Sequence, residues 1–217
     1  MNARRHHNMA KDTTLQGLFT DELRDAYHAE KQLVKALPKM VKAATSADLK
    51  QALQAHLGET EEHVSRIEEA FSLLDEPVRA KACAGMQGII EEGADVISEE
   101  DRGVALDAAI IASGQRAEHY EMAAYGTLIA WATALGHDDV AELLQRTLDE
   151  EKAADSTLTR LAEGGINTAA AGDGDEAHED VDQSTVSASS AGRTKATTTD
   201  RRAGDRISAM KAAARRR

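Results

Sequence analysis

Residues 106–128 read LDAAIIASGQRAEHYEMAAYGTL. Within and just beyond this stretch, Asp107, Ile111, Gly114, Glu118, Glu121, Tyr125, Leu128, Ala132 and Leu135 recur at steps of three and four. That period lines one face of an α-helix. The pattern predicts a helix from about Val104 to Leu135, stopped by Gly136 in the manner of a C-terminal glycine. The face is apolar except for its acids. Carboxylates on the buried side of a helix are expensive unless they are paired, protonated or bound to a metal.

Three further long helices surround this one in the sequence. The first runs from about Thr13 to Ala44, with Phe19, Leu23, Tyr27, Glu30, Val34, Leu37 and Val41 on its seam. Asp12, Thr13 and Thr14 offer capping oxygens, and Pro38 is expected to kink or interrupt it. The second runs from about Ser46 to Leu74, with Leu49, Leu53, His56, Thr60, His63 and Ile67 facing inward and Glu59 flanking the two histidines. The fourth runs from about Asp138 to Glu163, with Leu144, Leu148, Glu151, Asp155 and Leu158 on one face, and is expected to end at Gly164-Gly165. Short turns make helices one and two, and three and four, antiparallel hairpins. Between the hairpins lie Asp75 to Gly103, with a short amphipathic piece around Met86–Ser98. A 30-residue helix is roughly 45 Å long, and this connection is long enough to cross it. The expected fold is all-α: an antiparallel four-helix bundle of ferritin-like topology, with a long crossover between the second and third long helices.

The interior acids and histidines fall at one height. Residues equally far from a hairpin turn lie level. Glu30 precedes the first turn by about the distance at which His56 and Glu59 follow it, and Glu118 and Glu121 pair in the same way with Glu151 and Asp155 across Gly136. A mid-bundle layer of Glu30, His56, Glu59, Glu118, Glu121, Glu151 and Asp155 has the layout of a di-metal carboxylate site. Glu59 and Glu121 are the expected bridging carboxylates. The competing reading is structural, with Glu–His and Glu–Tyr hydrogen bonds satisfying the same groups. His63 is read as a core or supporting histidine, His119 ranks below His56, and His28 and His137 are placed on the surface. His6 and His7 carry no weight, because Met9 can also serve as a start.

Taken together, LFTDELRDAYHAEKQLVKALPKM, HLGETEEH, GMQGIIEEG, LDAAIIASGQRAEHYEMAAYGTL and LLQRTLDEEKAADSTLTRLA resemble the YciE/YciF family of ferritin-like proteins over about residues 13–163. The resemblance implies a dimeric bundle linked to bacterial stress responses, and metal binding through the seven residues named above. The implied cofactor is di-iron, with manganese or zinc as other metals that carboxylate and imidazole ligands accommodate. The wider di-iron pattern has Glu-x-x-His on two helices. This chain has His56-x-x-Glu59 on one and no histidine beside Glu151 on the other, so its ligand set is richer in carboxylate. The sequence leaves open whether the site is redox-active and whether the protein is an enzyme.

Composition sets the outer bounds. Aromatics are only 3% of the 217 residues and prolines number two, a balance that favours helix over sheet. The formal net charge is −12. Residues 12–163 hold 14 basic and 30 acidic side chains, which disfavours nucleic-acid binding by the folded part and suits cations. The single cysteine, Cys83, excludes a disulfide framework or a Cys-based metal site. No run approaches a membrane span, and no signal-like stretch opens the chain, so a cytoplasmic protein is expected. Residues 1–11 are expected to be flexible and 164–217 to form a disordered tail. The tail carries six acids between Asp173 and Asp182, then nine basic residues between Arg193 and Arg217. The alternative function is a non-catalytic dimeric stress scaffold whose basic tail contacts DNA or another partner.

Overall fold

Side-chain caps set where two of the helices begin. Thr14 Oγ1 accepts the Gly17 N–H at 3.1 Å and starts α1, Leu15–Ala43. Ser46 Oγ accepts the Leu49 N–H at 3.3 Å and starts α2, Ala47–Leu73. Each hydroxyl satisfies a donor that the first helical turn leaves without a partner. The remaining elements are α3, Ala84–Glu99; α4, Val104–Leu135; and α5, Asp138–Leu161. The computed structural model describes residues 13–172, and no strand occurs among them. The expectations for residues 1–11 and for the acidic and basic parts of the tail lie outside the described residues.

The crossover can be followed through its hydrogen bonds. Beyond α2 the chain returns beside the early part of α1, where the Lys81 N–H donates to the Arg24 carbonyl at 3.0 Å. α3 then packs against α1 and α4. At its far end Arg102 donates to the carbonyls of Lys42 and Ala43, where α1 finishes. The chain therefore travels the length of the bundle before α4 begins, and α4 runs antiparallel to α1. Asp107 secures this junction. Its carboxylate accepts the Thr45 N–H at 2.7 Å, the Thr45 hydroxyl at 2.6 Å and the Ser46 N–H at 2.7 Å. Gly136 closes α4 in the left-handed region, at φ 79°, where a side chain would be strained.

Of the two outcomes expected of Pro38, a break does not occur: it lies inside α1. α5 ends at Leu161, close to the expected stop. The chain then kinks through a π-helical turn, Ala162–Ile166, in which Gly165 takes a non-helical φ of 141°, and a short further helical stretch, outside the expected bundle, runs to residue 172. Ala162 is buried and Ile166 packs against the core at this end, contacts that hold the extra turns in place. Among the described residues, no helix is long and apolar enough to cross a membrane.

The core has two halves. One gathers Phe19, Leu23, Phe71, Leu128 and Leu144, away from the α1–α2 turn. The other gathers Leu37, Leu49, Leu53, Leu106 and Ile110, next to it. Between them lies the polar layer.

Candidate metal centre

Four helices each turn polar side chains into the gap between the apolar halves. α1 contributes Glu30, α2 contributes His56 and His63, α4 contributes Glu118 and Glu121, and α5 contributes Glu151; all six are buried. His56 and His63 are seven residues apart, two helical turns, and so face the same way. Glu118 and Glu121 are one turn apart.

The side chains form two groups that share one residue. His56, Glu118, Glu121 and Glu151 can each offer a ligand atom within 4.8 Å of the others, and so can Glu30, His63 and Glu151. His56 Nε2 lies 3.3 Å from Glu118 Oε1 and 3.7 Å from Glu151 Oε2. His63 Nδ1 lies 3.0 Å from Glu151 Oε1 and 3.6 Å from Glu30 Oε1. The Tyr125 hydroxyl donates to Glu30 Oε1. His63 Nε2 points outward to Glu150 Oε2 at 2.8 Å, and Arg66 Nη2 holds the other Glu150 oxygen at 2.9 Å.

These positions set the protonation of the metal-free site. Burial, then the charge of Glu151, raises the Glu118 carboxyl to about 10. Burial and the same neighbour push Glu121 well above the usual carboxylate range, and burial raises Glu30. Burial alone would make His63 harder to protonate, but Glu151 and Glu30 outweigh it and raise the imidazolium to about 10. Glu151 moves the other way: burial opposes its ionisation, yet His63 and then His56 hold it below the usual range. Arg66 and His63 likewise overcome the effect of burial on Glu150. The metal-free layer thus favours an ionised Glu151 beside Glu118 and Glu121, which hold their protons more tightly than a free carboxyl.

The donor set fits a divalent cation. Eight buried side-chain polar atoms among the described residues make no well-aligned hydrogen bond, and seven of them are in this layer. Both oxygens of Glu121, both of Glu151, Oε2 of Glu30, Oε2 of Glu118 and Nδ1 of His63 are involved. Glu151 Oε1 and His63 Nδ1 still face each other as an ion pair at 3.0 Å. The Glu121 oxygens and Oε2 of Glu30 and Glu118 have no such partner, and an unmatched buried polar atom costs about 1–3 kcal/mol. Carboxylate oxygens and imidazole nitrogens are ligands for iron, manganese and zinc.

Residues 14–171 match the protein family described as "Domain of unknown function (DUF892)". The chain belongs to the DUF892 family. It is 43% identical over 155 residues to Protein YciF of Escherichia coli K12, an alignment covering 71% of this chain and 93% of that protein. The crystal structure of that stress protein superposes with a TM-score of 0.69, at 42% identity, covering 71% of this chain and 98% of the other. YcfI of Rhodopseudomonas palustris superposes with a TM-score of 0.66, also at 42% identity, covering 73% and 98% of the two chains.

The DUF892 bundle brings together five of the seven residues singled out from the sequence: Glu30, His56, Glu118, Glu121 and Glu151. Glu59 stands at the rim, exposed, with Oε2 3.4 Å from His56 Nδ1. Asp155 is half-buried and accepts from Gln115 at 3.2 Å, with His119 Nε2 3.3 Å away. The residue common to both ligand groups is Glu151, whereas the sequence pointed to Glu59 and Glu121 as the bridges. His63, read as a supporting histidine, lies in the second group. Its support, Glu150 with Arg66, went unnoticed in the sequence. His28 and His137 are not free surface groups. His28 Nδ1 accepts the Cys83 N–H at 3.1 Å, and His137 stacks on Phe19 with ring centroids 6.0 Å apart.

Proposed function

We propose that this DUF892 chain binds two divalent cations, iron or manganese, with zinc able to substitute, in the layer between its two apolar half-cores. His56, Glu118 and Glu121 would hold one, Glu30 and His63 the other, and Glu151 would be shared. The observation that carries this reading is the concentration of unmatched buried polar atoms in that layer. A resident redox metal would supply Lewis acidity and one-electron chemistry. The chain's own residues supply the rest. Tyr125 orients Glu30 through its hydroxyl, Arg66 and Glu150 orient His63, and the two half-cores keep bulk water from the layer. The similarity to a stress protein supports a role in the bacterial stress response, served by iron, oxygen or peroxide chemistry at this layer and by a homodimeric assembly.

Metal per chain, measured by mass spectrometry after anaerobic reconstitution, tests the reading. The parent should carry close to two ions and a Glu121→Gln/Glu151→Gln variant close to none, with helix content unchanged by circular dichroism. Metal near zero in the parent would reject the proposal and leave the layer as the hydrogen-bonded interior of a scaffold.

A further inference from the structure

A cavity of about 170 Å³ lies beside the layer, beneath the crossover helix α3. Its walls come from α1, α2, α3 and α4 and are mostly apolar, with Leu33, Leu37, Leu53, Ile90 and Ile97 among them. It exists because small residues meet where α3 crosses the bundle. Ala36 on α1, Gly93 on α3, and Gly114 and Ala117 on α4 all border it. α3 is only loosely seated, with Met86 its sole buried residue and Ile89, Ile90 and Ile97 half-buried. One end of the cavity is different. There His56, Glu118 and Glu121 form the wall, and Glu118 Oε2 and both Glu121 oxygens lack hydrogen-bond donors.

An apolar cavity of about 150 Å³ is enough to hold benzene and stays dry when empty. The present cavity is of that size, but it ends on carboxyl oxygens with spare acceptor capacity. We infer that it is a binding site for an uncharged molecule of about the size of a benzene ring that carries one hydroxyl group. The apolar body fills the space under α3, and the hydroxyl donates to the Glu118–Glu121 end. An anion would lose its hydration against the leucine and isoleucine walls and meet Glu118 and Glu121 at the polar end, with the exposed Lys39 the one cationic side chain on the lining. A fully apolar one would leave the carboxyl oxygens as they are. The site goes beyond the metal reading and does not need it, since the cavity and the unmatched oxygens belong to the protein alone. With metal bound, the same molecule would lie next to the ions, in a substrate's position.

The experiment is calorimetric titration of the full chain with phenol and, separately, benzene, on metal-free and zinc-loaded protein. Metal is counted in every preparation. Phenol should saturate at one per chain in the metal-free protein and bind about tenfold more tightly than benzene, the discrimination expected of a hydrogen bond to a buried acceptor. Gly93→Leu fills the cavity from α3. A Cβ at Gly93 meets only the Ser113 side chain, Cβ at 3.5 Å and Oγ at 3.8 Å, both ordinary contacts, so the added side chain can extend into the space. Ala36→Leu fills it from α1. Either variant should weaken phenol at least about tenfold while leaving metal content unchanged, because neither residue is a ligand. Equal binding of phenol and benzene, no saturable phenol binding, or phenol binding unaffected by both fillings would overturn the inference. Saturable, filling-sensitive phenol binding to a protein that takes up no metal would reject the metal reading and sustain this one.

Discussion

Raising the pH from 6 to 9 should weaken the metal-free fold by a large margin. Glu118 is the clearest source. In the unfolded chain a glutamate titrates near 4.3, so above pH 6 the unfolded state has lost this proton. In the folded protein, burial and then the charge of Glu151 hold the carboxyl's pKa up to about 10, so the proton is retained. A group with a raised folded pKa stabilises the fold at low pH, and that contribution is lost as pH climbs towards the folded value. One extra proton on the native state lowers the folding constant about tenfold per pH unit. Three units give about a thousandfold, or about 4 kcal/mol, against a typical total of about 5–15 kcal/mol. His63, with its imidazolium raised to about 10 by Glu151 and Glu30 against the effect of burial, adds a loss of the same sign above pH 7. The lowered carboxyls of Glu151 and Glu150 act only on the acid side, where their contribution disappears as pH falls through their folded values. The assay is urea denaturation of chelator-treated protein at pH 6, 7.5 and 9, followed by circular dichroism. Glu118→Gln should flatten the slope, and saturating zinc or manganese should shrink it, because ligation replaces the retained protons. Equal stability of the metal-free parent at pH 6 and pH 9 would refute the reasoning.

Other outcomes follow from single contacts. Asp107→Ala removes the acceptor of three hydrogen bonds at the α1–α2 turn and should cost about 2–4 kcal/mol in denaturant titration; Asp107→Asn should cost less, since it keeps one acceptor oxygen. Gly136→Ala places a Cβ on left-handed backbone at φ 79° and should cost about 1 kcal/mol, seen as a lower Tm with metal content unchanged.

The bundle was legible because its period, caps and turn residues agree. The crossover followed from counting residues between hairpins, and the structure adds the Arg102 and Asp107 contacts that fix where it lands. The layer was legible in height but less so in azimuth. His63 is seven residues beyond His56, only about 20° out of line, whereas Glu59 is three beyond and about 60° round the helix. That rotation leaves Glu59 on the rim and brings His63 inside. Glu150 sits about 100° from Glu151 and meets Arg66 on α2, a partnership between helices that no spacing within either helix reveals. Gly164-Gly165 was legible as a stop, and Gly165 does break the helix at φ 141°, a conformation that glycine adopts readily. The short helical stretch beyond the kink was not legible, because it depends on the burial of Ala162 and the packing of Ile166 against the core.

Anomalous diffraction from manganese-loaded crystals, recorded on either side of the metal's absorption edge, tests the central claim most directly. Two peaks per chain are predicted, one among His56, Glu118, Glu121 and Glu151, the other among Glu30, His63 and Glu151, with Glu151 reaching both. An anomalous map without a peak in the layer, from crystals grown in saturating metal, would contradict the account.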